Sequence, residues 1–293
     1  MIHVIGTGPV GLLMASLLKD QGHSPVIVGK TGRAEPYLKF AKTDVTGKVT
    51  QYAIAYRHWE TLPPASISFA LICTKARDAL QAYHQAVCCL QKEGQVVFLN
   101  NGMGPQQAAM QLTPAMVLIG SNTHGAYLEA NGGLVHAGIG SVVLGSEYAS
   151  APIANLPHGF LWAPDMRPIL WRKLGINALI NPLSVIYQCQ NGDLATLPHA
   201  RARLARMAVE VDQIAARSAG ISELSSEQAA IEVARQTANN WSSTMQDYRA
   251  GKPNELPYIL GYLLEAAAKE GLSCPQLSLA FQETSTMPPY SGR

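Results

Sequence analysis

Apolar positions follow two different patterns along the chain, and the pattern changes just past its middle. Up to about residue 145, short apolar or alternating runs typical of strands are separated by glycine-rich turns and by two helical patterns. From about residue 165, apolar positions recur at helical spacing almost throughout. This change predicts an α/β domain over residues 1–164 followed by an all-α domain over residues 165–293.

The individual elements can be placed from the same patterns. Strands are predicted at 2–5, 25–28, 69–73, 96–99, 116–119, 125–127, 134–136 and 142–144, with hairpin strands over 45–57. Helices are predicted at 12–22, 78–90, 167–187, 199–219, 225–248 and 255–270. Pro182 is expected to kink or break its helix, and the tail from Thr284 is expected to be non-helical and mobile.

Composition narrows the class of protein. An apolar content of 47% with 14% charge is typical of a globular chain, and 293 residues suffice for two domains. Lys and Arg exceed Asp and Glu by only 22 − 20 = 2, which gives no electrostatic basis for binding nucleic acid or a membrane. The five scattered cysteines include no C-x-x-C pair, and the N-terminus lacks a basic leader. We therefore expect a cytoplasmic protein without a metal site.

The first chemical motif follows the first strand at once. Gly6-Thr7-Gly8-Pro9-Val10-Gly11 has the G-x-G-x-x-G spacing and lies between a strand and a helix. In a Rossmann-type dinucleotide-binding domain, the first glycine makes a tight turn and the second admits the pyrophosphate, while the third allows close helix packing. The alternative is a glycine-rich turn that binds nothing.

Charged residues after the second strand bear on the choice of dinucleotide. Lys30 and Arg33 stand where an NAD site would usually carry an acid, and the first acid is Glu35. Cations suit a 2′-phosphate, which predicts NADP, although an ordinary charged loop would look the same. Lys75 and Asn101 follow two later strands and are expected to line the cofactor crevice, because ligands bind at the carboxyl ends of parallel strands.

A polar stripe interrupts the first helix of the second half. Lys173, Asn177 and Asn181 are spaced i, i+4, i+8, which stacks one amine and two carboxamides on one helix face. Such a row could bind a polar ligand and deliver a proton to it. The alternative is a narrow solvated stripe on a surface helix. His124 could be read as a general base, but no acid is placed to orient it, and we assign it no role.

Together, these motifs resemble the ketopantoate reductase (2-dehydropantoate 2-reductase) family along nearly the full chain. The matching pieces are GTGPVG at 6–11, TK at 74–75, NNGMG at 100–104, THGA at 123–126, WRKLGINALINPL at 171–183, NG at 191–192, SSTMQD at 242–247 and Glu255. The Lys-x-x-x-Asn-x-x-x-Asn helix followed by the Ser-Ser segment is the specific part.

The resemblance implies NADPH-dependent reduction of ketopantoate to pantoate, a step toward pantothenate and coenzyme A. It implies Lys173 as general acid and the following substrate contacts: Asn177, Asn181, Asn191, Asn240 and Ser243. It implies cofactor contacts from Gly6, Thr7, Gly8, Pro9, Val10, Gly11, Lys30, Arg33, Lys75, Asn101, Ala126 and Glu255. It also implies an all-helical second domain and an active site in the cleft between the domains.

Two departures from the family pattern bear on specificity. The usual Arg after the second strand is Lys30 here, which keeps the charge but loses the bidentate fork. Glu255 is kept, but Asn254 and Pro257 replace the Thr and Asp around it. Two other functions therefore stay open, namely NADPH-dependent reduction of another branched 2-oxo acid and NADP binding by a sensor without turnover. For Ser242 and Ser243, the alternative to substrate binding is that they cap a helix. The sequence does not predict the oligomeric state.

Overall fold

The computed structural model describes residues 1–32, 34–112, 117–146 and 156–291, and these residues form two units. The first unit comprises Met1–Asn100 and Pro105–Met166, and the second comprises Asn101–Gly104 and the chain from Arg167 onward. Arg33 and the start of the strand predicted at 116–119 lie outside the described residues.

The first unit is built on one sheet. Among the described residues its strands are β1 Ile2–Ile5, β2 Val26–Gly29, β3 Tyr37–Thr43, β4 Val49–His58, β5 Ile67–Ile72, β6 Leu90–Phe98, β7 Val117–Asn122, β8 Gly125–Leu128, β9 Leu134–Gly138, β10 Val142–Gly145 and β11 Phe160–Ala163. Their order across the sheet is β11-β10-β7-β6-β5-β1-β2-β4-β3-β9-β8. The six strands from β7 to β4 in that order are mutually parallel.

Helices pack on the central parallel strands, namely β1, β2, β5, β6 and β7. These strands carry apolar runs that are buried on both faces. The helices of this unit are α1 Pro9–Asp20, α2 Ala76–Val87 and α3 Pro105–Leu112, and a 3₁₀ turn spans Trp59–Thr61. Val4, Leu71 and Val97 on adjacent strands belong to one buried core with Leu13 of α1. The prediction of an α/β first half is confirmed, although β11 was not predicted.

The predicted hairpin is present, but it begins earlier than residue 45. Asp44 makes the turn: its Oδ1 accepts hydrogen bonds from the backbone N–H groups of Thr46 and Lys48 at 2.8 and 3.0 Å. The apolar pattern does not reveal β3, because one of its inward-facing positions is a cation. This residue, Lys42, is buried and pairs with Asp20 at 2.8 Å.

The second unit is helical. Its elements among the described residues are α4 Arg167–Ile186, α5 Asn191–Thr196, α6 Pro198–Ala219, α7 Ser226–Gln236, α8 Ser243–Arg249, a π-helical segment Pro257–Gly261, α9 Tyr262–Lys269 and α10 Pro275–Thr286. α4 is the central element, since it contacts α5, α6, α7, α8 and α10. Among the described helices, none has both the length and the apolar character that crossing a bilayer requires.

Three predictions for this half are wrong in detail. Of the kink or break predicted at Pro182, the break is wrong, because α4 continues to Ile186. The helix predicted over 225–248 is two helices, because α7 ends at Gln236 and Ser242 caps the start of α8. The tail is also ordered further than predicted, since α10 reaches Thr286 and Tyr290 then accepts a hydrogen bond from Arg249.

Candidate functional site

The glycine loop after β1 is held tightly at its first position. Gly6 has φ +120°, a value that favours glycine, and its N–H donates to the carbonyl of Val28 at 2.9 Å. A Cβ on Gly6 would lie 3.2 Å from backbone atoms of Cys73 and Thr74 at the end of β5. The loop is therefore fixed against the carboxyl ends of β2 and β5.

The other two glycines of the motif, Gly8 and Gly11, differ in the space around them. A Cβ on Gly11 would collide with the carbonyl oxygen of Gly6, so helix α1 packs directly on the turn. A Cβ on Gly8 would meet nothing within 4 Å. Gly8 is the N-cap of α1 and provides no side-chain cap for the helix. Pro9 and Val10 open the first turn, whose N–H groups and positive dipole end suit an anion.

The end of β5 adds polar groups beside this loop. The hydroxyl oxygen of Thr74 is buried and has no hydrogen-bond partner among the described residues. Lys75 is half-buried and forms the N-cap position of α2. Sequence reasoning selected Lys75 but missed Thr74, although the Thr-Lys pair at a strand end was the available signal.

The cation after β2 has internal partners. Lys30 Nζ lies 3.0 Å from a carboxylate oxygen of Asp78 and 3.1 Å from the Gln81 side-chain oxygen. Burial favours the neutral acid of Asp78, but the hydrogen bond and charge of Lys30 lower the pKa of that carboxyl below its ordinary value. The Lys30 side chain is half exposed, so its ammonium is accessible to a phosphate group of a ligand. Ala126, on β8, packs against the core of the unit.

The polar stripe of α4 is intact and largely withdrawn from solvent. Because α4 is a continuous helix, Lys173, Asn177 and Asn181 share one face, and Ser184 extends it by a further turn. Lys173 and Asn177 are partly exposed, whereas Asn181 and Ser184 are buried. A solvated surface stripe does not fit this burial.

The first residue of the stripe is an amine with an altered pKa. Burial lowers the pKa of Lys173 from 10.5 to about 8, and the charge of Glu255 partly opposes the change. Glu255 is 5% exposed and accepts a hydrogen bond from Asn101 Nδ2 at 3.1 Å. The second unit therefore brings together Lys173, Glu255 and Asn101 as an amine, a carboxylate and a carboxamide.

The end of the stripe is joined to the start of α8. The hydroxyl groups of Ser184 and Ser242 lie 2.6 Å apart, and Ser242 Oγ accepts the N–H of Met245 at 3.0 Å. For Ser242 the helix-cap alternative is thus correct. Ser243, the predicted substrate contact, is exposed and begins the helix. Sequence reasoning missed Ser184, since its partner lies 58 residues away.

The remaining predicted substrate contacts are at the start of α5. Asn191 is buried, and its Nδ2 donates to Thr237 Oγ1 at 2.9 Å. Its Oδ1 has no hydrogen-bond partner among the described residues. Its backbone N–H donates to the carbonyl of Asn240 at 3.0 Å, and Asn240 is exposed.

His124 is part of a histidine pair. His124 Nδ1 lies 3.0 Å from His136 Nε2 and accepts the N–H of Gly140. Burial lowers the pKa of both imidazoles below the ordinary value. Within the described ranges, no cluster of His, Cys, Asp or Glu is arranged to hold a metal ion.

The first unit has parallel strands and a glycine turn that leads into an uncapped helix N-terminus. The second unit is helical and contains a desolvated amine. Together, these features define a dinucleotide-dependent oxidoreductase. Comparison with family models gives the family. The model described as "Ketopantoate reductase PanE/ApbA" matches residues 2–147, and its C-terminal counterpart matches residues 165–287. The chain belongs to the ketopantoate reductase family, which confirms the resemblance seen in the sequence.

Individual relatives agree with this placement. The chain is 29% identical to a 2-dehydropantoate 2-reductase of Yersinia pestis over 94% of this chain and 91% of the relative. It is 26% identical to one of Archaeoglobus fulgidus, with 93% and 92% covered. Both relatives therefore match over nearly their whole length.

Solved structures share the fold at lower identity. A 2-dehydropantoate 2-reductase from Geobacter metallireducens superposes with a TM-score of 0.84 at 20% identity, covering 97% of this chain and 99% of the other. A D-mandelate dehydrogenase in complex with NADH and anilino(oxo)acetate gives 0.83 at 18% identity, with 96% of each chain covered. The predicted fold class, an α/β Rossmann-type domain followed by an all-α domain, is confirmed.

Proposed function

We propose that this chain reduces 2-dehydropantoate to pantoate with NADPH. The observation that carries the proposal is Lys173, an amine on the polar face of α4 whose pKa burial brings to about 8. Curated relatives named 2-dehydropantoate 2-reductase, which match nearly the whole chain, support the same substrate.

Lys173 acts as the general acid. The bound dinucleotide supplies a hydride, and reduction of a ketone places negative charge on its oxygen. The ammonium of Lys173 stabilises that charge and gives up its proton to the oxygen. An amine with a pKa of about 8 suits this role, because near neutral pH it is protonated and yet releases its proton more readily than an ordinary lysine.

Carboxamides and a hydroxyl hold the substrate. Asn177 and Asn181 supply donors and acceptors whose charge does not change with pH, which suits binding a hydroxyl and a carbonyl oxygen in one pose. Ser243 donates to the substrate carboxylate. Asn191 contributes its unpaired Oδ1, and Asn240 lies beside it at the backbone.

The dinucleotide is held by the glycine loop and the strand ends. Gly8 leaves space for the pyrophosphate, and the first-turn N–H groups of α1 and the orphan hydroxyl of Thr74 are donors for it. Lys30 and Arg33 favour the 2′-phosphate of NADPH over NADH. Thr7, Lys75, Ala126, Asn101 and Glu255 complete the proposed cofactor contacts.

The decisive experiment is an NADPH absorbance assay with ketopantoate. We expect turnover, with a higher kcat/KM for ketopantoate than for a panel of other 2-oxo acids that includes an aryl oxo acid. A higher value for another branched acid would reassign the substrate. NADPH binding without consumption by any acid would favour a sensor, and equal use of NADH would remove the role of Lys30.

A further inference from the structure

The C-terminal strap, residues 287–291, is bound to the helix that carries Ser243. Tyr248 donates its hydroxyl proton to the carbonyl of Pro288 at 2.7 Å. Tyr290 packs edge-on against Tyr248, with ring centroids 5.7 Å apart. The strap thus contacts the last turn of α8, although its composition predicts a mobile tail.

A single cation joins the strap to both ends of α8. Arg249, the last residue of α8, places its guanidinium 3.7 Å from the ring centroid of Trp241, which precedes the helix. The same guanidinium lies 5.3 Å from the Tyr290 ring, and its Nη2 donates to the Tyr290 hydroxyl at 3.2 Å. The guanidinium of Arg249 is therefore close to two aromatic rings, whose negative faces attract a cation.

This clamp is continuous with the polar face of α4. Trp241 is followed directly by Ser242, whose hydroxyl contacts Ser184 on α4, and then by Ser243. Gln246 Nε2 also donates to the carbonyl of Trp241 at 3.0 Å, which ties the middle of α8 to its start. A short helix such as α8 has little stability of its own, so its position depends on contacts of this kind.

We propose that Arg249 and Tyr290 are positioning residues for the reaction: by clamping α8 at both ends they hold Ser243 in the pose that binds the substrate. The inference rests on the proposed function, because that function places Ser243 against the substrate carboxylate. Neither residue touches the substrate. The clamp acts on binding of the oxo acid and leaves the glycine loop and Lys173 unchanged.

The test compares Arg249→Ala and Tyr290→Ala with the full-length wild-type chain. Losing the cation–aromatic contacts should raise KM for ketopantoate about five- to tenfold, with kcat and the NADPH Kd within about twofold. The double variant should lose less than the sum of the two single variants, because both single variants remove the contact between Arg249 and Tyr290. Tyr290→Phe keeps the ring and should restore most of the substrate affinity. Leu279→Ala, an exposed change on α10, is the matched control.

Hydrogen exchange separates this inference from the proposed function. The amides of residues 243–249 should exchange faster in Arg249→Ala and Tyr290→Ala than in the wild type, whatever substrate the protein reduces. An inactive wild type would end the proposed function alone. Unchanged KM and unchanged exchange in both Ala variants would overturn the clamp. A joint loss of kcat, NADPH affinity and Tm would also overturn it, since the contacts would then support the whole unit.

Discussion

Replacing Lys173 with Met removes the ammonium and keeps most of the side-chain length. Burial lowers the pKa of this amine from 10.5 to about 8, and that difference corresponds to roughly 3 kcal/mol lost by the folded state while the amine is charged. The cost is fully present below pH 8, decreases between about pH 8 and 10.5, and is absent above. Lys173→Met should therefore raise the free energy of unfolding at pH 7 by up to about 3 kcal/mol, as measured by urea denaturation.

The same variant should lose activity. General acid catalysis contributes typically about 10²- to 10⁴-fold, so we expect kcat to fall by at least a hundredfold with little change in the NADPH Kd. In the wild type, kcat/KM should be level below about pH 8 and decline above it, because only the protonated amine delivers a proton. Glu255→Gln should move the decline to lower pH, because the carboxylate raises the pKa of Lys173. Lys269→Met, an exposed change at the end of α9, is the matched control.

Two results would refute this reasoning. A wild-type profile that stays level to pH 10 would show that no group titrating near 8 is needed in its protonated form. Turnover by Lys173→Met within a few fold of the wild type would show that another residue delivers the proton. A stabilised but inactive Lys173→Met is the combination that only a desolvated catalytic amine predicts.

Three further predictions concern the cofactor loop, the cation after β2 and the cap of α8. Gly11→Ala should lower Tm, because the added Cβ collides with Gly6. Gly8→Ala should leave Tm unchanged and raise the NADPH Kd, measured by calorimetry, at least tenfold. Equal Tm values for the two variants would contradict the close packing of Gly11 on Gly6. Lys30→Ala should raise KM for NADPH about tenfold and leave KM for NADH unchanged, and an equal rise for both would exclude a 2′-phosphate contact. Ser242→Ala should lower the free energy of unfolding by about 1–2 kcal/mol in urea, through the lost cap and the lost contact with the Ser184 hydroxyl. A change below about 0.3 kcal/mol would contradict both contacts.

Local sequence patterns predict the parts of the fold that depend on neighbours along the chain. The strand, glycine turn and helix at residues 2–20 are adjacent in the chain, and the backbone conformation of the turn explains the glycines of the motif. The apolar runs in β5 and at residues 96–98 of β6 are buried on both faces and are recognisable without long-range information. The polar start of β6, from Leu90, was not predicted. The stripe of Lys173, Asn177 and Asn181 follows from helical spacing alone.

The elements that were missed depend on partners distant in sequence. α10 begins where Glu210, 66 residues earlier, accepts the N–H groups of Gln276 and Leu277 at 2.9 Å. A buried glutamate in the middle of α6 looks like a surface residue in the sequence. The strap was predicted mobile because its anchors, Tyr248 and Arg249, lie about 40 residues before it.

Within the candidate site, sequence reasoning selected charged and amide side chains and missed the residues that contact them. Lys30 was predicted from charge, but its pairing with Asp78 on the neighbouring helix was not. Ser184 and Ser242 both have ordinary structural uses, and only their 2.6 Å contact distinguishes them. Polar residues of this kind carry no periodic signal, so the spacing of a single segment does not reveal them.

The burial of the α4 stripe indicates how one helix serves both fold and reaction. Its first two polar residues, Lys173 and Asn177, are partly exposed and therefore accessible from solvent. Its last residues, Asn181 and Ser184, are buried where α4 packs among the other helices, and Ser184 is tied to α8. Because the accessible and the buried residues lie on one rigid helix, the buried contacts of Asn181 and Ser184 fix the position of the Lys173 amine. Lys173, whose pKa is lowered by burial, is thus carried by the helix that contacts five other α-helices of its unit.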